Sequence, residues 1–283
     1  MLAFYYEKSF EGVLCAVFDA FKLKKMPECL LATGQIEPLL VTDSHYVEFR
    51  EFKYERVRVA LIKKLSKTAL RQLMYVWLSE LPDSDLIIFR YICKVFKATK
   101  SIETDFADPD VLTVREIAKK VSNERHRILE FIRFNAIKNP LKKPYEQVSD
   151  DNENDESEKI YFSVIGPIYN VLPLVLTFFK ERFADQKWAI YDEKRQYGYV
   201  YDLNSIEQVS LIDKDDLIIN SHQVNQNYLT EDEALFQTMW LRYCNAITIK
   251  ERINTKLQRQ HMPSRFWRYL PEMKLAVKEH NGI

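Results

Sequence analysis

IYFSVIGPIYNVLPLVLTFF, Ile160 to Phe179, runs for twenty residues without a charge, which is the length of a membrane span. Gly166, Pro167, Asn170 and Pro173 interrupt it. A proline inside a helix removes a hydrogen bond and clashes with the preceding turn, at about 3 kcal/mol. The stretch therefore reads as a buried strand from Tyr161 to Ile165, a turn, and a buried helix from about Val171. No membrane partner is expected, and the fold becomes one in which short strands and helices share a core.

Working outward, Leu2 to Tyr6 is short and aromatic and suits a strand. Ser9 can cap the next helix, whose apolar Val13, Leu14, Val17, Phe18 and Phe21 recur at helical spacing. A second short strand is expected around Leu39 to Thr42. Helices then run as far as Phe134, with breaks at Ser66, at Pro82 to Asp83, and at Asp105 to Pro109. Asp108 as cap with Pro109 at the first helical position marks a helix start. Lys187 to Tyr191 and Tyr197 to Tyr201 flank DEKRQ as a hairpin. Thr230 and Glu233 form a capping box for the helix carrying Leu235, Phe236, Met239 and Trp240. The expected class is α+β, predominantly helical with a small, mainly antiparallel sheet.

With 283 residues, 47% of them hydrophobic and 13% aromatic, the chain can bury a sizeable core. The five glycines are more decisive. The closest two, Gly12 and Gly34, are 22 residues apart. Phosphate-cradling loops and nucleophile elbows need glycines within a few residues of one another, because backbone must approach the ligand or take positive φ. No nucleotide cofactor is expected. Cys15, Cys29, Cys93 and Cys244 are too far apart in sequence for a zinc, redox or iron–sulfur motif, and read as free, packed thiols. The opening MLAFYYEKSF lacks a basic region followed by an apolar one, so a reducing, cytoplasmic location is expected. Residues 146–158, EQVSDDNENDESE, carry seven acidic side chains and no basic one, the composition of a solvated loop. A calcium loop would want a turn glycine there, so no metal is expected.

Forty-one basic side chains balance forty-one acidic ones, so charge-driven recognition has to be local. KERINTKLQRQHMPSRFWRYLPEMK, Lys250 to Lys274, has a net charge of +5 and interleaves Phe266, Trp267 and Tyr269. Guanidinium groups neutralise phosphates and flat rings stack on bases, so Arg252, Lys256, Arg259, Arg265, Trp267 and Arg268 are candidates for binding a nucleic acid. The alternative is a terminal helix with core aromatics and a solvated basic face. In VSNERHRILEFIRF, helical spacing puts Glu124, Arg127, Phe131 and Phe134 on one stripe and His126, Glu130 and Arg133 on another. Such residues could hold a phosphate or relay a proton, or form structural ion pairs. In WAIYDEKRQYGYVYD, Asp192, Arg195 and Asp202 sit at or beside the hairpin, and Tyr197, Tyr199 and Tyr201 should line one strand face. Glu124 and Asp192 are the candidate acids or bases. Arg127, Arg133 and Arg195 would extend the nucleic-acid contact.

These segments resemble a bacterial family of uncharacterised proteins described as DNA metabolism or DNA repair proteins. The likeness is carried by Tyr6 with SFEGVLCAVFDAF (Ser9 to Phe21), by ERHRILEFIRF (Glu124 to Phe134), by GPIYNVLPLVLTFFKERFADQKWAIYDEKR (Gly166 to Arg195) and by ITIKERINTKLQRQHMPSRFWRYLPE (Ile247 to Glu272). It spans nearly the whole chain, which implies a single domain over 1–283. Members are encoded beside a radical SAM protein of DNA modification or repair, and some are fused to a uracil-DNA glycosylase-like domain. The resemblance thus implies DNA, a radical SAM protein and a glycosylase-like protein as partners, with no activity to transfer. Where the family usually shows a histidine, this chain has Phe178, which argues against an acid or base there. The expected function is a nucleic-acid-binding accessory protein of a DNA repair or modification system. The alternatives are a DNA-processing enzyme, nuclease or glycosylase-like, using Glu124 or Asp192, and a protein-interaction scaffold that never touches DNA.

Overall fold

A computed structural model describes residues 1–35, 39, 41–138, 159–210, 218–219 and 223–273. The acidic segment 146–158 lies outside them, as does Lys274. The chain divides into two compact units, Met1–Glu124 and Arg125–Ile283, and the division falls inside one long helix.

The first unit opens with β1 (Leu2–Tyr6), α1 (Phe10–Leu23), β2 (Cys29–Ala32) and β3 (Asp43–Tyr46). Ser9 caps α1 as its sequence foretells, its hydroxyl accepting from the Gly12 N–H at 3.0 Å. The strand expected at Leu39 to Thr42 begins at Asp43 instead, and β2 has no counterpart in the sequence reading. Both pair with β1 in parallel, giving a sheet in the order β2-β1-β3. Four helices follow: α2 (Glu51–Lys64), α3 (Lys67–Leu78), α4 (Ser84–Lys97) and α5 (Pro109–Phe131). The breaks fall where Ser66, Pro82 to Asp83, and Asp105 to Pro109 put them. Ser66 caps α3 by accepting from the Ala69 N–H, and the Asp108 carboxylate accepts from the Asp110 and Val111 N–H groups at the start of α5. Phe4, Val17, Leu73, Val76, Ile88 and Ile92 form part of this unit's buried interior.

The second unit is built on a five-stranded sheet in the order β4-β5-β6-β7-β8. Its strands are β4 (Asn135–Lys138), β5 (Lys159–Ile165), β6 (Trp188–Asp192), β7 (Tyr197–Tyr201) and β8 (Ile206–Val209). Three neighbouring pairs are antiparallel and β5 pairs with β6 in parallel, so the sheet is mixed. The apolar stretch behaves as its prolines require. It makes β5, then a short 3-10 turn at Leu172–Leu174 around Pro173, then α6 (Leu176–Arg182). Among the described residues no helix is long and apolar enough to cross a membrane. The short pair β9 (Ile218–Ile219) and β10 (Gln223–Val224) precedes α7 (Glu231–Ile247) and α8 (Thr255–His261), and 3-10 turns at Ser264–Tyr269 and Pro271–Met273 close the described chain. The class is α+β, with one mixed sheet, one parallel sheet and one short antiparallel pair beside the helices.

Candidate nucleic-acid interface

The basic C-terminal stretch separates into an exposed half and a packed half. Asn254 caps α8 through its side-chain oxygen, which accepts from the Leu257 N–H at 3.0 Å. Around that short helix Arg252, Lys256 and Arg259 stand exposed. The side chain of Lys250 lies outside what the structure describes.

Past Pro263 the chain turns inward. Trp267 is only 4% exposed, and Phe266, Leu270 and Met273 are buried too, with Phe131 and Met262 packed against this cluster. The Trp267 indole N–H donates to the Met262 carbonyl at 3.0 Å. As placed here the ring is core and its face is not offered to a base, so the stacking part of the sequence expectation is corrected at Phe266 and Trp267. Arg265 lies over the Phe266 ring and Arg268 over Tyr269, at 4.5 and 5.0 Å from the centroids. Tyr269 donates to the Glu193 carboxylate, which Arg268 also approaches at 3.7 Å. Burial and the neighbouring Glu193 charge push the Tyr269 phenol far above its ordinary value.

Rings exposed for stacking lie elsewhere. On α7, Trp240 and Tyr243 stack with centroids 5.7 Å apart and planes at 30°, and both are exposed, as are Phe236 and Arg242. The sequence reading gives Leu235, Phe236, Met239 and Trp240 only as residues carried by this helix. The face of α7 that turns inward starts polar, with Glu233 and Gln237 half-buried, and continues with half-buried Leu241 and Cys244. Glu233 accepts from the Ala136 N–H at 3.1 Å, and Gln237 donates to the Asn135 side chain at 2.9 Å. β4 is an edge strand, and an open edge needs acceptors and donors more than it needs methyl groups. The signal that could have found this is Glu233 and Gln237 at i and i+4 on a helix that follows the strands.

Of the candidate acids and arginines, Asp192 and Arg195 are brought together. α5 ends at Phe131, so Arg133 and Phe134 leave the helical stripe. Arg133 instead donates to the Glu130 and Ile132 carbonyls at the end of α5 and pairs with Glu272 at 3.0 Å. His126 and Glu130 are both exposed, Arg127 is half-buried, and Glu124, the last residue of the first unit, is 2% exposed.

Asp192 ends β6 with no exposure at all. Its Oδ1 accepts from the Lys194 and Arg195 N–H groups at 3.0 and 3.2 Å, and its Oδ2 from the Arg195 guanidinium at 2.9 Å. That guanidinium also donates to the Pro167 and Ile168 carbonyls. Burial raises the Asp192 carboxyl above its ordinary value, against the lowering pull of Arg195. Both ends of this pair knit the β6–β7 turn to the segment after β5. Tyr197 points its hydroxyl at Asn170, while Tyr201 is buried, so the hairpin tyrosines make no common exposed platform. Asp202 accepts from the Asn204 and Ser205 N–H groups and holds its own turn. Phe178 is exposed on α6 and packs edge-on against Phe179.

The first unit holds a polar cluster that the sequence does not announce. Asp19 on α1 is buried and accepts from the Lys53 ammonium at 2.9 Å, with His45 Nε2 at 3.0 Å from its Oδ2. Lys53 sits 34 positions further on and His45 arrives from β3, so only the fold brings them together. Among the described residues no group of three or more histidine, cysteine, aspartate or glutamate side chains is arranged to hold a metal ion. The four cysteines form no disulfide among the described residues, Cys15 and Cys93 are buried, and burial pushes the Cys93 thiol up to about 12.

No curated protein and no solved structure matches the chain. A family model does match, over residues 82–272, from the start of α4 to the last 3-10 turn, which is more than half of the chain. The chain belongs to the family described as a domain of unknown function, DUF4130.

Proposed function

We propose that this chain is a nucleic-acid-binding accessory protein of a bacterial DNA repair or modification system, working beside a radical SAM protein and, in some settings, a glycosylase-like one. The observation that carries the reading is the exposure of Arg252, Lys256 and Arg259 within a stretch of net charge +5 in a chain whose total is zero. Phosphate contacts through such side chains release counterions, which supplies affinity without sequence preference. The exposed pair Trp240 and Tyr243 takes over the stacking role from Trp267. Asp192 lacks solvent access and is spent on Arg195, which favours binding over catalysis by this chain.

Fluorescence anisotropy on single- and double-stranded oligonucleotides tests the proposal. Binding at low salt should weaken as salt rises, with a log–log slope of about −0.7 per phosphate contact on single strands. Replacing Arg252, Lys256 and Arg259 together by alanine should make that slope shallower by about 2, while Trp240→Ala should weaken single strands more than duplex. Absence of binding at low salt would overturn the reading.

A scaffold that docks a protein and never touches DNA is favoured by one observation, the outward apolar face of α7. Co-purification of the radical SAM protein that survives nuclease treatment, together with silent oligonucleotide titrations, would establish that alternative.

A further inference from the structure

In the first unit, α1, α2 and α4 border a cleft of about 650 Å³, within the size range of small-molecule sites. Three rings line it, Phe18 and Phe21 from α1 and Phe96 from α4, the last two meeting edge to face at 5.9 Å. Two cations line it as well, Lys22 on α1 and Arg56 on α2. Both are exposed, and neither makes an ion pair or a side-chain hydrogen bond among the described residues. An apolar interior edged by two uncommitted positive charges is complementary to a molecule with an apolar body and an anionic end.

The length of the cleft narrows the occupant further. Its lining runs from Val17 to Lys22 on α1 and from Arg56 to Ala60 on α2, about 8 Å of helix at 1.5 Å per residue. The apolar face of a three-turn partner helix is about 16 Å long, twice that span. A rigid helix cannot fold back within that span, whereas a single flexible acyl chain or one ring can. We infer that it binds a small amphiphilic organic anion, an acyl or aryl carboxylate, with the chain or ring among Phe18, Phe21 and Phe96 and the carboxylate between Lys22 and Arg56. Apart from Phe96, every lining residue precedes the stretch matched by the family model, so this site is separate from the nucleic-acid reading and stands without it.

Titration calorimetry of the full chain with dodecanoate, kept below its micelle concentration, tests the inference. Saturable binding of one molecule is expected, with dodecyltrimethylammonium, which has the same chain and the opposite charge, giving no saturable heat. Lys22→Glu combined with Arg56→Glu changes only exposed positions; it should weaken dodecanoate about tenfold and let the ammonium compound bind. Ala60→Trp should fill the cleft and remove binding, with circular dichroism and thermal midpoint confirming the fold; if that variant misfolds, the rim pair decides. The inference is overturned if dodecanoate gives no saturable heat, if both amphiphiles bind alike, or if the rim reversal changes nothing. It also fails if a fifteen-residue Leu/Glu helical peptide binds more tightly and displaces dodecanoate, which would assign the cleft to a partner helix.

Discussion

At Gly166 the Tyr269 hydroxyl comes so close to the backbone that an added Cβ would overlap it, and the Glu193 carboxylate would lie 3.1 Å from that Cβ. Only a glycine lets the phenol reach Glu193 across the end of β5. Gly166→Ala should therefore expel Tyr269 from its hydrogen bond and destabilise the chain by about 2 kcal/mol, the range for a lost bond to a charged group combined with overpacking. In a Tyr269→Phe background the hydroxyl is already gone, and the same substitution should cost below about 1 kcal/mol. Urea midpoints for the four members of this cycle measure the coupling, and equal costs in both backgrounds would refute the contact. Neither partner can be read as coupled from the sequence, since 103 positions separate them and a lone glycine before a proline looks like a turn. Trp267 shows the same limit in another form. A tryptophan among arginines has one composition whether its face is offered to a base or sealed against Leu270 and Met273, and only packing separates the two.

Elements were more legible wherever a local chemical signal sets a boundary. Ser9, Ser66 and Thr230 all cap the helices they precede, because a side-chain oxygen satisfying an orphan N–H acts within three residues. Asp108 does the same for α5 and also binds Lys94 on α4 at 2.7 Å. Asp108→Ala should cost about 1–2 kcal/mol, whereas Asp108→Asn keeps the cap and loses the ion pair, for a smaller loss. Lys94 holds the Asp108 carboxyl below its ordinary value of 3.8. A folded-state value under the unfolded one means that this group's contribution is complete above that pH and fades as acid carries the solution down through the folded value. Acid titration of the unfolding free energy should fall less steeply for Asp108→Asn than for the unaltered chain, and parallel curves would show that the pair is inert. Signals that depend on distant partners were not legible. β2 and β3 are four-residue strands whose pairing with β1 is parallel, and α7 presents polar residues to β4 because the strand edge lies there, a fact no helical periodicity contains.

For the molecule as a whole, the zero net charge and the outward face of α7 act together. Leu235, Phe236, Met239, Tyr243 and Ile247 are each more than half exposed and recur on one side of the helix, a patch of the kind that soluble monomers seldom carry without a partner. Charge repulsion that would keep two copies apart is weak when 41 positive side chains offset 41 negative ones. The purified chain should accordingly self-associate near neutral pH, with a light-scattering mass that rises with concentration and is insensitive to added salt, since burial of apolar area drives it. Phe236→Glu with Met239→Glu puts two negative charges on that face without disturbing Glu233 or Gln237, and should return the mass to that of a monomer. A mass independent of concentration in the unaltered chain would refute the expectation. The same double variant bears on the two functional readings, because the cations at Arg252, Lys256 and Arg259 are left in place. Oligonucleotide binding that persists in a monomeric variant assigns affinity to the basic stretch together with the unaltered Trp240 and Tyr243, and separates it from the association. If binding disappears along with the association, the apolar face rather than the basic stretch is what holds the ligand, and the roles proposed for the three cations fall.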